Sequence, residues 1–141
     1  MRVTSRISHT TIDAHDAYAQ SVWWGRLLGM SEDPEDPNEP GHEECMIFSP
    51  DGRTRVLFIE VPEPKTELKN RIHFDLRPTD GTREEEVDRV LGLGATVVAD
   101  RRGDDGSGWF TLADLEGNEF CILRGDAEIT DPYAHLVTAP A

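Results

Sequence analysis

His9 and His73 are the residues whose type and placing most invite chemistry in this chain. Imidazole ligates metals and carries protons near neutral pH. Each histidine lies in a β-rich, alternating stretch, Ile7-Ser8-His9-Thr10-Thr11-Ile12 and Ile72-His73-Phe74-Asp75-Leu76. Each stretch leads into a helical pattern that stops at a glycine, Gly29 and Gly94, at nearly equal distance. Isolated histidines on strands are ordinarily core or surface residues, and recurrence at equivalent places favours a role in function. Glu60 ends the apolar strand Val56–Val61, where its plain reading is a solvent-facing residue in alternation. Cys121 sits in an apolar run and reads most simply as a small buried hydrophobe. Glu119 stands two residues before it, so both share one face of a strand. Trp109 and Phe110 follow a glycine-rich loop, and one of them is expected to face a pocket and stack on a planar ligand.

The elements that must position these groups follow from periodicity. Asp16 is a helix N-cap, and Tyr18 with Val22, Trp23 with Leu27 and Trp24 with Leu28 give helical spacing up to Gly29. The adjacent tryptophans point in different directions, which predicts one of them in the core. Residues 31–44 are acidic, hold three prolines and show no periodicity, so they read as a mobile loop. Strands are expected at Glu44–Phe48 and Arg55–Val61, around the turn Ser49-Pro50-Asp51-Gly52. Residues 65–70 read as a linker. A second cycle follows: strand Ile72–Leu76, a capping box at Thr82 and Glu85, a helix burying Val87, Val90 and Leu91, then strands at Ala95–Ala99, Trp109–Leu112 and Glu119–Leu123. Residues 125–141 read as a tail. The order repeats after about 64 residues, an internal duplication whose halves share one core.

At 141 residues the chain suits one domain. Its net charge of −14 repels phosphate backbones and anionic lipid headgroups, which argues against nucleic acid and membrane partners. No apolar run approaches a membrane span, no signal peptide is evident, and the two cysteines show no short-range pairing pattern. A cytoplasmic protein with reduced thiols is the expectation.

In order and spacing, the pieces Ile7–Ile12, Trp23-Trp24-Gly25-Arg26-Leu27-Leu28-Gly29-Met30, Asn70–Leu76, Leu93-Gly94-Ala95-Thr96-Val97-Val98 and Leu112-Ala113-Asp114-Leu115-Glu116-Gly117-Asn118-Glu119-Phe120 together resemble the vicinal oxygen chelate superfamily. That superfamily includes glyoxalases, bleomycin-resistance proteins and dioxygenases. The resemblance implies an α+β fold of two βαβββ modules, at about 5–64 and 70–124, forming a curled mixed sheet around a cupped pocket. It also implies a metal held from the first and last strand of each module. Carried over, those positions are His9, Glu60, His73 and Cys121. The family pattern has Glu where Cys121 stands. Imidazole with carboxylate suits Zn, Ni, Fe or Mn, and a thiolate shifts preference toward Zn.

What the resemblance implies is a small-molecule enzyme doing metal-assisted lyase, isomerase or dioxygenase chemistry on an oxygen-bearing substrate, with Glu119 as base and Trp109 in the substrate pocket. The alternative is a metal-free protein of the bleomycin-resistance type that sequesters a cationic, aromatic ligand, a role the acidic charge suits. The resemblance also implies a homodimer, since short chains of that superfamily commonly pair.

Overall fold

A computed structural model describes residues 4–137. The chain divides into two compact units, Met1–Leu68 and Lys69–Ala141, with the boundary inside the linker segment 65–70.

The first unit comprises β1 (Thr10–Ala14), α1 (Ala17–Leu28), β2 (Glu44–Phe48) and β3 (Arg55–Glu60). Its sheet has the order β1-β3-β2, with β1 parallel and β2 antiparallel to β3. Asp16 Oδ1 accepts the Ala19 N–H at 2.9 Å and starts α1. Gly29, at φ 65°, ends it in the left-handed region that favours glycine. The helix buries Trp23, Trp24 and Leu27, and the sheet buries Cys45, Ile47, Val56 and Phe58. Both tryptophans are therefore in the core, not one, with their rings edge-on at 5.3 Å. The acidic loop is tied down: Ser31 bridges Phe48, and Asn38 Nδ2 donates to Met46 O. β2 lies where the sequence placed it, and the further strand that a βαβββ module would have between α1 and β2 is reduced to the Ser31 bridge. Prolines and repelling carboxylates leave little that could extend it.

Cys45 in that core is fully buried, and burial pushes its thiol above the ordinary value of 9.0 despite a bond from Ser21. An unfolded chain gives up this proton first. The thiol's stabilisation is therefore whole below pH 9 and is lost as pH climbs through the folded value. C45A is expected to flatten the alkaline slope of stability, read from urea midpoints between about pH 8 and pH 10.

The second unit runs β4 (Asp75–Leu76), α2 (Arg83–Gly92), β5 (Thr96–Asp100), β6 (Phe110–Ala113) and β7 (Glu119–Ile122), with a 3-10 turn at Ala134–Leu136. This is a βαβββ module with strand order β4-β7-β6-β5. Thr82 accepts the Glu85 N–H and Glu85 reaches back to the Thr82 N–H, the reciprocal pair the sequence predicted. T82A should cost about 1 kcal/mol of stability, measured by urea unfolding. Val87 and Val90 are buried, as are Leu112, Phe120 and Ile122 on one face of the sheet. The β6–β7 turn is held by Asp114, whose Oδ1 accepts from both Glu116 N and Asn118 N at 2.9 Å.

β4 is shorter than the alternation predicted, and His73 precedes it. Asn70 accounts for this. Its Oδ1 accepts the Glu119 N–H at 2.7 Å and its Nδ2 donates to Glu119 O at 3.0 Å. A side-chain amide thus takes the ladder place that a strand residue would fill. Ladder bonding continues beyond it, with Cys121 N donating to Phe74 O and Leu123 N to Leu76 O.

Candidate functional site

The face of the second unit's sheet opposite its apolar core carries the polar side chains. Register places Ala99, Thr111, Cys121 and Asp75 side by side across the four strands. Alternate residues share a face, so His73 and Glu119 flank this row on one side and Trp109 and Leu123 on the other. Together with Lys69, Val98 and Arg101 they line a cavity of about 450 Å³. That volume is in the range that holds small ligands.

At the floor, His73 Nε2 stands 3.3 Å from Asp75 Oδ1. These two groups and Cys121 Sγ each lie within 4.8 Å of one another. Cys121 is 5% exposed, while His73 and Asp75 open toward solvent. Burial pushes the Cys121 thiol up; the Thr111 hydroxyl, 3.5 Å away, opposes this and Asp75 adds to it. The cysteine therefore rests as a neutral thiol. Glu119 meets Lys69 Nζ at 3.1 Å, beside the cluster.

Nitrogen, oxygen and sulfur donors this close fit a zinc-type ion, whose bonds to them are about 2.0–2.3 Å. Binding would displace the thiol proton. Among the described residues this is the one group of three or more ligand-type side chains.

The expected residues are placed unevenly. His73, Cys121, Glu119 and Trp109 all line the cavity. Glu119 and Cys121 face the same way, as their spacing required. In the first unit, His9 lies just before β1, and Glu60 pairs with Ala14 at the far end of the ladder. Five residue steps separate them, about 16 Å, so the two cannot hold one ion within that unit. The presumed match of Glu60 with Cys121 is also out of step. Counted from the histidines, Thr11 corresponds to Asp75. Thr11 pairs with Leu57, and Asp75 with Cys121. The position corresponding to Cys121 is therefore Leu57. Asp75 is the functional candidate that sequence reasoning passed over. Its signal was present, two residues after His73 in an alternating stretch.

A βαβββ module with a polar cup on one sheet face is the architecture of the vicinal oxygen chelate superfamily. The chain belongs to the glyoxalase-like domain family, which matches residues 9–123. Among solved structures, it is similar to a fosfomycin resistance protein, FosX, from Listeria monocytogenes. That structure holds Mn(II) and a dihydroxypropylphosphonic acid; the TM-score is 0.61 at 17% identity, over 87% of this chain and 92% of that one. A lactoylglutathione lyase from Agrobacterium tumefaciens has TM-score 0.58 at 18% identity, over 92% and 100%. Oxidase ChaP-H2 has TM-score 0.56 at 22% identity, over 94% and 98%. Similarity at these identities establishes the fold. No curated protein matches this sequence. Among the described residues, no helix is long and apolar enough to cross a membrane.

Proposed function

We propose that this chain is a small-molecule enzyme of the glyoxalase or dioxygenase type, using metal-assisted lyase or isomerase chemistry on an oxygen-bearing substrate. The observation that carries the reading is the convergence of His73, Asp75 and Cys121 at the floor of the cavity. Three protein ligands suffice for a catalytic zinc with an open position. His9 stays a candidate further ligand. When bound, the ion would act as a Lewis acid toward substrate oxygens. The chain's own residues do the rest. Glu119, one row from Cys121, is the candidate base, and Lys69 orients its carboxylate. Trp109 supplies an apolar wall, and Asn70 fixes the backbone that carries Glu119. The FosX relative, which holds Mn(II) with its ligand, lends support by analogy of fold. Homodimerisation belongs to the proposal, and sedimentation at twice 15.8 kDa would meet it.

The test is metal analysis of untagged protein purified without chelators, alongside a His73→Ala/Cys121→Ala variant. About one transition metal per chain, lost in the variant, is expected. No uptake of Zn, Ni, Fe or Mn by the parent protein would sink the reading.

One observation favours a metal-free ligand binder instead: burial keeps Cys121 a neutral thiol. A cationic ligand, however, would meet Lys69 and Arg101 at the cavity. Ligand binding that persists after the protein is stripped by a chelator would favour this second reading.

A further inference from the structure

Arg101 and Trp109 lie directly opposite each other at the end of the β5–β6 ladder, where Arg101 N donates to Trp109 O at 2.9 Å. Opposed residues of an antiparallel pair point to the same face, and both line the cavity. Their neighbour Arg102 is fully engaged: it pairs with Asp100 and Glu84 and lies over the Phe110 ring at 4.5 Å. Arg101, by contrast, forms no side-chain ion pair with any described residue. The other basic group of the cavity, Lys69, is taken by Glu119. One uncommitted guanidinium therefore stands beside one half-exposed indole in a chain of net charge −14. Trp109 is 42% exposed, whereas Trp23 and Trp24 are buried.

The spacing gives the site a length. Strand geometry puts the Trp109 Cα about 8 Å from that of Cys121, and the Arg101 Cα about 12 Å away. The reach of the arginine side chain leaves a gap spanned by roughly one substituted ring. Val98, Ala99 and Leu123 make the walls apolar between the two ends.

We propose that this cavity takes a small planar anion, an aromatic or conjugated carboxylic acid, with its acid group on Arg101, its ring against Trp109 and its oxygen donors toward His73, Asp75 and Cys121. The last of these contacts rests on the metal reading above; the first two stand on their own. Guanidinium matches a carboxylate in two parallel bonds, and the indole face gains from a planar partner. The acidic surface elsewhere opposes an incoming anion only weakly, because charges beyond about 8 Å are screened at physiological salt.

The experiment titrates zinc-loaded protein with benzoate, 4-hydroxybenzoate and 4-hydroxybenzamide, the neutral amide of 4-hydroxybenzoate. Binding is read by tryptophan fluorescence and by calorimetry, and metal content is assayed on the same samples. 4-Hydroxybenzoate should bind at least about tenfold more tightly than its amide, a difference of about 1.4 kcal/mol. Arg101→Gln should bring the acid down to the level of the amide and leave the metal content unchanged. Trp109→Phe should abolish the fluorescence response. Equal affinity for acid and amide, an acid preference that survives Arg101→Gln, or no binding of either acid up to about 10 mM overturns the proposal. Acid preference without bound metal removes the metal reading and keeps this subsite. Bound metal without acid preference does the reverse.

Discussion

Replacing Cys121 by alanine should lower the protein's zinc affinity by at least about a hundredfold. Losing a residue that merely supports a ligand already costs 10–100-fold, and Cys121 is placed to be a ligand itself. A second readout separates coordination from packing. The buried thiol is neutral, so zinc binding should release its proton and make the calorimetric enthalpy depend on the buffer. That dependence should shrink in C121A. The substitution removes one sulfur from a buried site, a stability loss of roughly 1 kcal/mol, too little to unfold the unit. D75N keeps the shape but offers a neutral oxygen, so it should weaken zinc less than C121A does. C45A is the control. Cys45 is equally buried but belongs to no ligand cluster among the described residues, so zinc uptake should be unchanged. Zinc affinity in C121A equal to that of the parent would show that the thiol is packing alone.

Replacing Arg83 by methionine should destabilise the second unit by about 2–4 kcal/mol. Arg83 is 3% exposed, and its guanidinium donates to Ser107 O at 3.2 Å, Gly108 O at 2.9 Å and Glu84 Oε1 at 2.8 Å. That bond to Arg83 is the leading cause holding the Glu84 carboxyl below its ordinary value. Without the guanidinium, Gly108 O loses this donor and Ser107 O is left with the Gly103 N–H alone. The loop has little room to relax. Gly108 sits at φ 87°, and a Cβ there would stand 2.1 Å from Arg101 O. The loop leads straight into Trp109, so the same substitution should loosen the cavity wall and change the exposure of that indole to a soluble quencher. R83K keeps the charge but cannot fork to several acceptors, and should fall between. A midpoint in urea within 0.5 kcal/mol of the parent for R83M, converted through the m-value, would refute this role.

Local signals carried much of the fold. Asp16, the apolar spacing from Tyr18 and Gly29 bound α1 at Ala17–Leu28 with no reference to the rest of the chain. Thr82 and Glu85 likewise start α2. Both devices are short-range hydrogen bonds or single-residue backbone preferences, so sequence reveals them. β4 was read too long because its partner in the ladder is a side chain, Asn70, about fifty residues away from Glu119 in sequence. No window of residues around Asn70 shows that bond.

For the site, residue types and alternation were enough to put Glu119 and Cys121 on one strand face and would have placed Asp75 with His73, but they left open which of Trp109 and Phe110 faces the cavity, and the structure places Trp109 there. The resemblance to a family was legible too, since it lives in the order of motifs along the chain. What the sequence could not decide was register. The resemblance put His9 and Glu60 among the ligands as residues of the first and last strand of their module, but parallel pairing sets Glu60 beside Ala14, five residue steps from His9. Nor could it show that Arg101 faces the cup while Arg102 holds the loop from outside, or that the buried Arg83 fixes the wall. Strand alternation tells which residues share a face. Which of them meet depends on how strands slide against one another, and that follows from packing and hydrogen bonds across the whole sheet.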